Sequence, residues 1–161
     1  MRRAGAVLAL ALLLLCAACG RTERTEGAYS LYFVASDQRG YGPALAAEPY
    51  VGDGEPDPSK LLAALLAGPS DEGLSSPFPK GTALRSWSRG PEEGVLRVYL
   101  TEQYSGLADI ALTLANYSIV LTLTQLDGVD AVEIIADGYT ANDSGHRLLL
   151  PGEAVLSDEA V

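Results

Sequence analysis

Residues 106–138 read GLADIALTLANYSIVLTLTQLDGVDAVEIIADG, a long helical pattern followed by a short strand. Gly106 opens the run and Asp127-Gly128 closes it, so Leu107 to Leu126 is predicted to be helical. At 100° per residue, Ala108, Leu112, Ala115, Ile119, Leu123 and Leu126 fall in one stripe. Ile110, Leu114, Tyr117 and Leu121 form a second stripe, nearly opposite. Between them lie a polar edge (Asp109, Thr113, Asn116, Thr124) and a small-residue edge (Ala111, Ser118, Thr122, Gln125). A helix that is apolar on two sides is covered on two sides. A sheet is expected over the first stripe. The first helix and the 70–81 loop are expected over the second, with Leu114 and Leu121 in the core. Tyr117 is expected to be partly exposed, because its hydroxyl prefers a wet edge. The alternative is that part of this second stripe meets another protein chain. A membrane span is disfavoured by Asp109, Asn116 and Gln125 within the run. Beyond the turn, Val129 to Ala136 alternates as a strand, with Val132, Ile134 and Ala136 on one face and Asp137-Gly138 as the stop.

Upstream, Ala28 to Ala35 (AYSLYFVA) is aromatic and β-branched, and reads as a strand with both faces partly covered. Ser36 to Pro43 is turn chemistry, and Ala44 to Val51 has the makings of a short return strand. Asp57-Pro58 opens a second helix as cap and first helical residue. Its apolar face is Leu61, Leu62, Leu65 and Leu66, and Gly68-Pro69 stops it. Ser70 to Gly81 reads as a loop. Thr82 to Ser88 and Gly94 to Thr101 are strands joined by the turn Arg89 to Gly94, and Arg147 to Leu150 is a candidate short strand. The order β(β)αββαβ predicts an α+β fold, a single domain with two helices on one face of a small sheet.

The first residues are an address. Met1-Arg2-Arg3 precedes an apolar run from Ala4 to Ala18. As a helix that run is roughly 22 Å long at ~1.5 Å per residue, short of the ~30 Å hydrocarbon core. It therefore reads as an export signal. It ends in Leu15-Cys16-Ala17-Ala18-Cys19-Gly20, which resembles a bacterial lipobox. Cys19 fits as the lipidated residue because Ala17 and Ala18 precede it, whereas Leu15 is too bulky to precede Cys16. The alternative is an ordinary cleaved signal. The expected organisation is a lipoprotein signal peptide over 1–18, the lipidated cysteine and a polar tether over 19–27, a folded domain over 28–150 and an acidic tail over 151–161. The location expected is the extracytoplasmic face of a cell membrane.

Composition narrows the chemistry. Hydrophobic residues make up 48% of the 161, a globular proportion. Eleven Lys and Arg against 21 Asp and Glu give −10, which repels phosphate backbones and argues against nucleic acid. The two cysteines lie in the signal region, and His146 is the sole histidine. Asp143, Ser144 and His146 crowd one loop, too close in sequence to align as nucleophile, base and orienter. Asp53, Glu55 and Asp57 alternate as calcium ligands can, but an EF-hand would need Glu where Ala64 stands. Glu92-Glu93 sits in a turn, Lys60 and Lys80 lack a glycine-rich phosphate loop, and Trp87 reads as a packing residue. A glycosidase needs two carboxylates facing each other across a cleft, and no pair declares itself. No metal and no cofactor are expected.

Two stretches resemble the GerMN domain of bacterial sporulation and spore-germination proteins. Thr122 to Gly138 (TLTQLDGVDAVEIIADG) is similar to that family's helix end, Gly-Val turn and strand closing in D-G. Leu61 to Ser86 (LLAALLAGPSDEGLSSPFPKGTALRS) is similar to its leucine-rich helix, G-P stop, Pro-Gly-Thr loop and next strand. Leu31 to Val34 (LYFV) fits its first strand. The GDGEPDP insertion and the tail beyond Gly138 depart from the pattern. The resemblance implies a fold similar to ring-building-motif domains, no known chemistry, and an assembly or scaffold role outside a membrane. The expectation is a non-enzymatic module in sporulation or germination. Its contacts would be the membrane, through Cys19, and a protein partner or further copies of itself, with Ile110, Leu114, Tyr117 and Leu121 as the candidate surface. The rival is a lipoprotein that binds or hydrolyses cell wall, which a deep pocket with paired carboxylates would favour.

Overall fold

The computed structural model describes residues 29–36, 44–136 and 148–154. Cys19, Asp143, Ser144 and His146 lie outside them. Six strands are described: β1 (Ser30–Ala35), β2 (Leu45–Pro49), β3 (Leu74–Ser75), β4 (Leu84–Arg89), β5 (Val95–Leu100) and β6 (Ala131–Ala136). Two α-helices join them, α1 (Pro58–Ala67) and α2 (Asp109–Leu123), with 3₁₀ turns at Glu102–Gly106 and Pro151–Glu153. The fold is α+β, and the expected element order is present.

The strands divide between two three-stranded sheets, ordered β2-β1-β3 and β4-β5-β6, where the sequence pointed to one small sheet. β1 pairs antiparallel with β2 along its length, but with β3 only at Val34↔Ser75 and Ala35↔Leu74. β3 lies inside the stretch expected to be loop. In the second sheet β4 and β5 are antiparallel, with a register shift between Leu84 and Ser86, and β5 and β6 are parallel. Parallel neighbours cannot be joined by a tight turn. The 3₁₀ turn and α2 supply the crossover. Leu149 makes a bridge to Val132, placing a residue of the predicted tail strand beside β6.

Local chemistry sets the ends of α1. The Asp57 carboxylate accepts the Lys60 backbone N–H at 2.8 Å, Pro58 takes the first turn, and Gly68 ends the helix at φ +94°, where a side chain would be strained. Gly94 does the same for the β4–β5 hairpin at φ +78°, and a Cβ there would strike the Asp130 carboxylate.

The core lies between the sheets and the helices. It joins Leu31 and Phe33 of β1, Leu96, Val98 and Leu100 of β5, and Val132, Ile134 and Ala136 of β6. Leu61, Leu62 and Leu65 of α1 and Ala115, Ile119, Val120 and Leu123 of α2 complete it. The alternation predicted for β5 is observed; in β6 Val132, Ile134 and Ala136 face the core as expected, but Ala131 and Glu133 are buried as well.

Candidate functional site

α2 is the element on which the candidate surface stands, and each of its sides meets a different environment. Ala115, Ile119 and Leu123 of the first stripe are buried in the core, as expected. The 3₁₀ turn before the helix covers a second side, where the Tyr104 hydroxyl donates to Asn116 Oδ1 at 2.6 Å.

The third side carries hydrogen bonds that the sequence reading did not foresee. Beyond its two pairs with β3, the same edge of β1 has no strand partner among the described residues. Side chains of α2 take that place. Gln125 Oε1 accepts the Ser30 N–H at 2.9 Å, and Gln125 Nε2 donates to the Ser30 carbonyl at 2.7 Å. Thr122 Oγ1 accepts the Tyr32 N–H at 3.3 Å, and the Ser118 hydroxyl donates to the Tyr32 carbonyl. Ser118, Thr122 and Gln125 are spaced four and three residues apart, one turn each, and they match alternate residues of the strand. An open strand edge exposes a row of unpaired backbone groups, and here a helix closes it. The small-residue edge is thus a docking edge.

The fourth side is the least covered. Ile110 is 76% exposed, and Leu114, Tyr117 and Leu121 are half-buried. Neither α1 nor the 70–81 loop draws Leu114 and Leu121 into the core. Both lie outside the core cluster, whereas Tyr117 packs against it. Tyr117 is partly exposed, as expected, whereas the two leucines, expected in the core, are not part of it. The side of the helix next to them is taken up by the docking edge, which the periodicity did not foretell.

The residues weighed for chemistry are dispersed. Asp57 is spent on the helix cap. The Lys60 ammonium donates to the carbonyls of Asp53 and Glu55, each at 3.2 Å, so the acidic loop is organised around a cation of the chain itself. No group of three metal-ligating side chains occurs among the described residues. Trp87 is 37% exposed, and its indole N–H donates to Ser59 Oγ at 2.8 Å, tying β4 to α1. Glu92 and Glu93 are exposed in the hairpin turn. Arg97 and Glu133 form an ion pair on adjacent positions of β5 and β6, with the Glu133 side chain 6% exposed. The hydrogen bond that the Arg97 guanidinium donates to the Glu133 carboxylate holds it above its already high range. No helix among the described residues is long and apolar enough to cross a membrane.

Comparison with known proteins adds the context. The profile of the Germane family, described as sporulation and spore germination, matches residues 30–142. A search of curated proteins finds no match. Among solved structures, the tandem GerMN domains of the sporulation protein GerM from Bacillus subtilis superpose with a TM-score of 0.55 at 22% identity, covering 80% of this chain and 46% of that one. This chain thus spans about half the length of the tandem structure. The first GerMN domain of the same protein gives 0.53 at 16% identity, covering 81% of this chain and 96% of that one. These likenesses concern the fold.

Proposed function

The chain belongs to the Germane family of sporulation and spore-germination domains, and on that premise we propose that it is a non-enzymatic, membrane-anchored module that assembles by protein–protein contact on the extracytoplasmic face of the membrane. Lipid on Cys19 supplies the anchor and residues 20–27 the tether. The observation that carries the contact reading is the least covered side of α2, where Ile110 is exposed and Leu114 and Leu121 are half-buried outside the core. Apolar side chains grouped on one face of an element mark a contact surface more often than apolar residues scattered singly.

Two measurements test the reading. Membrane fractionation should find the protein in the pellet, and Cys19→Ala should release it or block its processing. If the variant fractionates and migrates as wild type does, the anchor is wrong. Cross-linking and pull-down from sporulating cells should recover the protein in a complex that Leu114→Glu disrupts. Muropeptide release by the purified protein that vanishes on changing a single carboxylate would refute the non-enzymatic assignment.

A further inference from the structure

β4 is an edge strand, and its register fixes what its free side presents. The Gly90 N–H donates to the Val95 carbonyl at 2.8 Å, and Ser88 stands opposite Arg97. In an antiparallel ladder, residues that bond the neighbour alternate with residues whose N–H and C=O point away from it. Gly90 and Ser88 therefore bond β5, and Trp87 and Arg89 turn their backbone groups to the other side. Those groups have no partner among the described residues. The other edges are treated differently. That of β1 is closed by β3 and α2, β6 meets Leu149, and β2 ends in Pro49, which has no N–H to offer. The free edge of β4 is also held in place. The Trp87 indole is tied to Ser59 of α1, and the Arg89 guanidinium donates to the Gly128 carbonyl. The other N–H groups of that guanidinium have no partner among the described residues. Such fixing lowers the ordering cost of binding.

We infer that β4 takes up an extended acidic segment of a partner protein as a further antiparallel strand, with a carboxylate beside Arg89 and an apolar residue beside Trp87. A row of unpaired N–H and C=O groups is matched by another strand. Charge gives that strand its chemistry. Gly73 to Pro91 contains Lys80, Arg85 and Arg89 and no carboxylate, in a chain of net −10. Opposite charges on facing strands stabilise a pair, and like charges oppose it. β4 of a second copy fails on that ground, since antiparallel pairing centred on Trp87 sets Arg85 of each copy opposite Arg89 of the other. Trp87 and Arg89 share a face, so the segment needs its apolar residue and its carboxylate two positions apart. Antiparallel pairing suits so short an edge, because the residues opposite Trp87 and Arg89 each exchange two hydrogen bonds. Bulges and charges are also the means by which edges are kept from pairing. Here the register shift lies between Leu84 and Ser86 and leaves Ser86 to Arg89 regular. The arginines turn away basic strands and select acidic ones. The inference rests on the contact reading above only in taking the chain to be a binding module; its surface is a different one.

The chain from Gly20 onward suits the test, because it keeps every described element. The probe is the peptide acetyl-Ser-Glu-Ser-Val-Ser-Glu-Ser-amide, which as an extended strand shows Glu, Val and Glu on one face. It is titrated into the isotope-labelled chain while the backbone amide resonances are followed. One control peptide carries lysine in place of glutamate. The other is the acidic peptide N-methylated at valine, which lacks the N–H that would meet Trp87. The expected result is a saturable shift of the Trp87 and Arg89 amides, with each control binding about tenfold more weakly. Arg89→Glu should reverse the order of the acidic and lysine peptides. If circular dichroism shows that Arg89→Glu unfolds, Arg89→Gln takes its place and should narrow the difference between the two peptides. No saturable shift, equal binding of the acidic and lysine peptides, undiminished binding of the N-methylated peptide, or shifts confined to α2 overturns the inference. So does a dimer of the chain alone that protects the Trp87 and Arg89 amides, which would put a second copy on the edge. Absence of peptide binding beside a cellular complex that Leu114→Glu disrupts overturns the edge and leaves the contact reading on α2 standing. Peptide bound as expected, with no such complex in cells, supports the edge and removes the α2 reading.

Discussion

Gln125 closes the edge of β1 with two hydrogen bonds, and Gln125→Met is the substitution that isolates them. Methionine keeps the length of the side chain and much the same helix propensity, so the change removes the amide and little else. The Ser30 N–H and carbonyl, both part-buried, lose their partners at 2.9 and 2.7 Å. A net hydrogen bond is worth about 1 kcal/mol, and a stranded buried group costs about 1–3 kcal/mol. Water can reach part of this edge, so the expected loss is about 2 kcal/mol rather than the upper sum. The assay is urea unfolding of the chain from Gly20, with hydrogen exchange at the Ser30 and Tyr32 amides. The denaturant midpoint should fall with the slope unchanged, and protection should drop first at Ser30. Gln125→Glu separates geometry from chemistry. A carboxylate still accepts the Ser30 N–H, but it faces the carbonyls of Ser30, Leu121 and Thr122, to which Gln125 Nε2 now donates. The variant should therefore be destabilised at neutral pH and recover in acid, where the protonated carboxyl donates again. A loss below about 0.5 kcal/mol for Gln125→Met, with Ser30 protection unchanged, would refute the claim that helix side chains stand in for a strand.

On the two stripes of α2, Ile119→Ala and Leu123→Ala should each cost about 2–5 kcal/mol, while Leu114→Ala and Leu121→Ala should cost about 1 kcal/mol or less, read as thermal unfolding. Asp57→Ala removes the cap of α1 and should cost about 1 kcal/mol in the same assay, whereas Asp57→Asn should retain most of it. Arg97→Met removes the ion-pair partner of the buried Glu133 carboxylate and should lower the urea midpoint; adding Glu133→Leu should restore part of the loss, because an apolar pair buries no charge. The Arg97 guanidinium, raised by Glu133, contributes stability that is lost only as pH rises through its folded-state value, so stability through this group should be flat across the alkaline range in which the fold can be measured.

The parts of the fold that were legible in the sequence are those whose cause is local. The Asp57-Pro58 start and Gly68 stop of α1 are cap chemistry, and the structure shows the cap bond itself. The alternation Leu96, Val98, Leu100 in β5 and Val132, Ile134, Ala136 in β6 gave the core-facing residues, because side chains repeat a face every two residues, although it did not show that the other face of β6 is buried too. β3 was not legible. Leu74 and Ser75 are extended because β1 offers two pairing positions there, and nothing in a loop with Pro77 and Pro79 announces that. The division into two sheets was hidden for a related reason, since it depends on what closes the rest of β1. Ser118, Thr122 and Gln125 were visible as a row, but a row of small polar residues on a helix normally faces water. Its one signal was the four-three spacing on a helix otherwise packed with apolar residues. Of the candidate surface, the membership of the second stripe was legible, and its depth was not. Periodicity tells which residues share a side, whereas burial depends on the neighbour that arrives there.

The absence of charge from α2 can be divided by cause. Ala115, Ile119 and Leu123 are core positions, and a charge there would be buried without a partner. Ser118, Thr122 and Gln125 bond backbone groups of β1 and need neutral side chains that both donate and accept. Asn116 is held by Tyr104, and Tyr117 packs on the core. Those constraints come from folding. They do not reach Ile110, Thr113, Leu114 or Leu121, which stand outside the core cluster at half-buried or exposed positions. A lysine or glutamate at any of the four would be solvated, would suit a helix at least as well as threonine or isoleucine, and would leave every hydrogen bond of the docking edge in place. One residue in five of this chain is charged, 20%, so four such positions would carry about one charge on average, and its absence there needs no cause of its own. Folding therefore accounts for three sides of the helix and leaves the fourth free to vary.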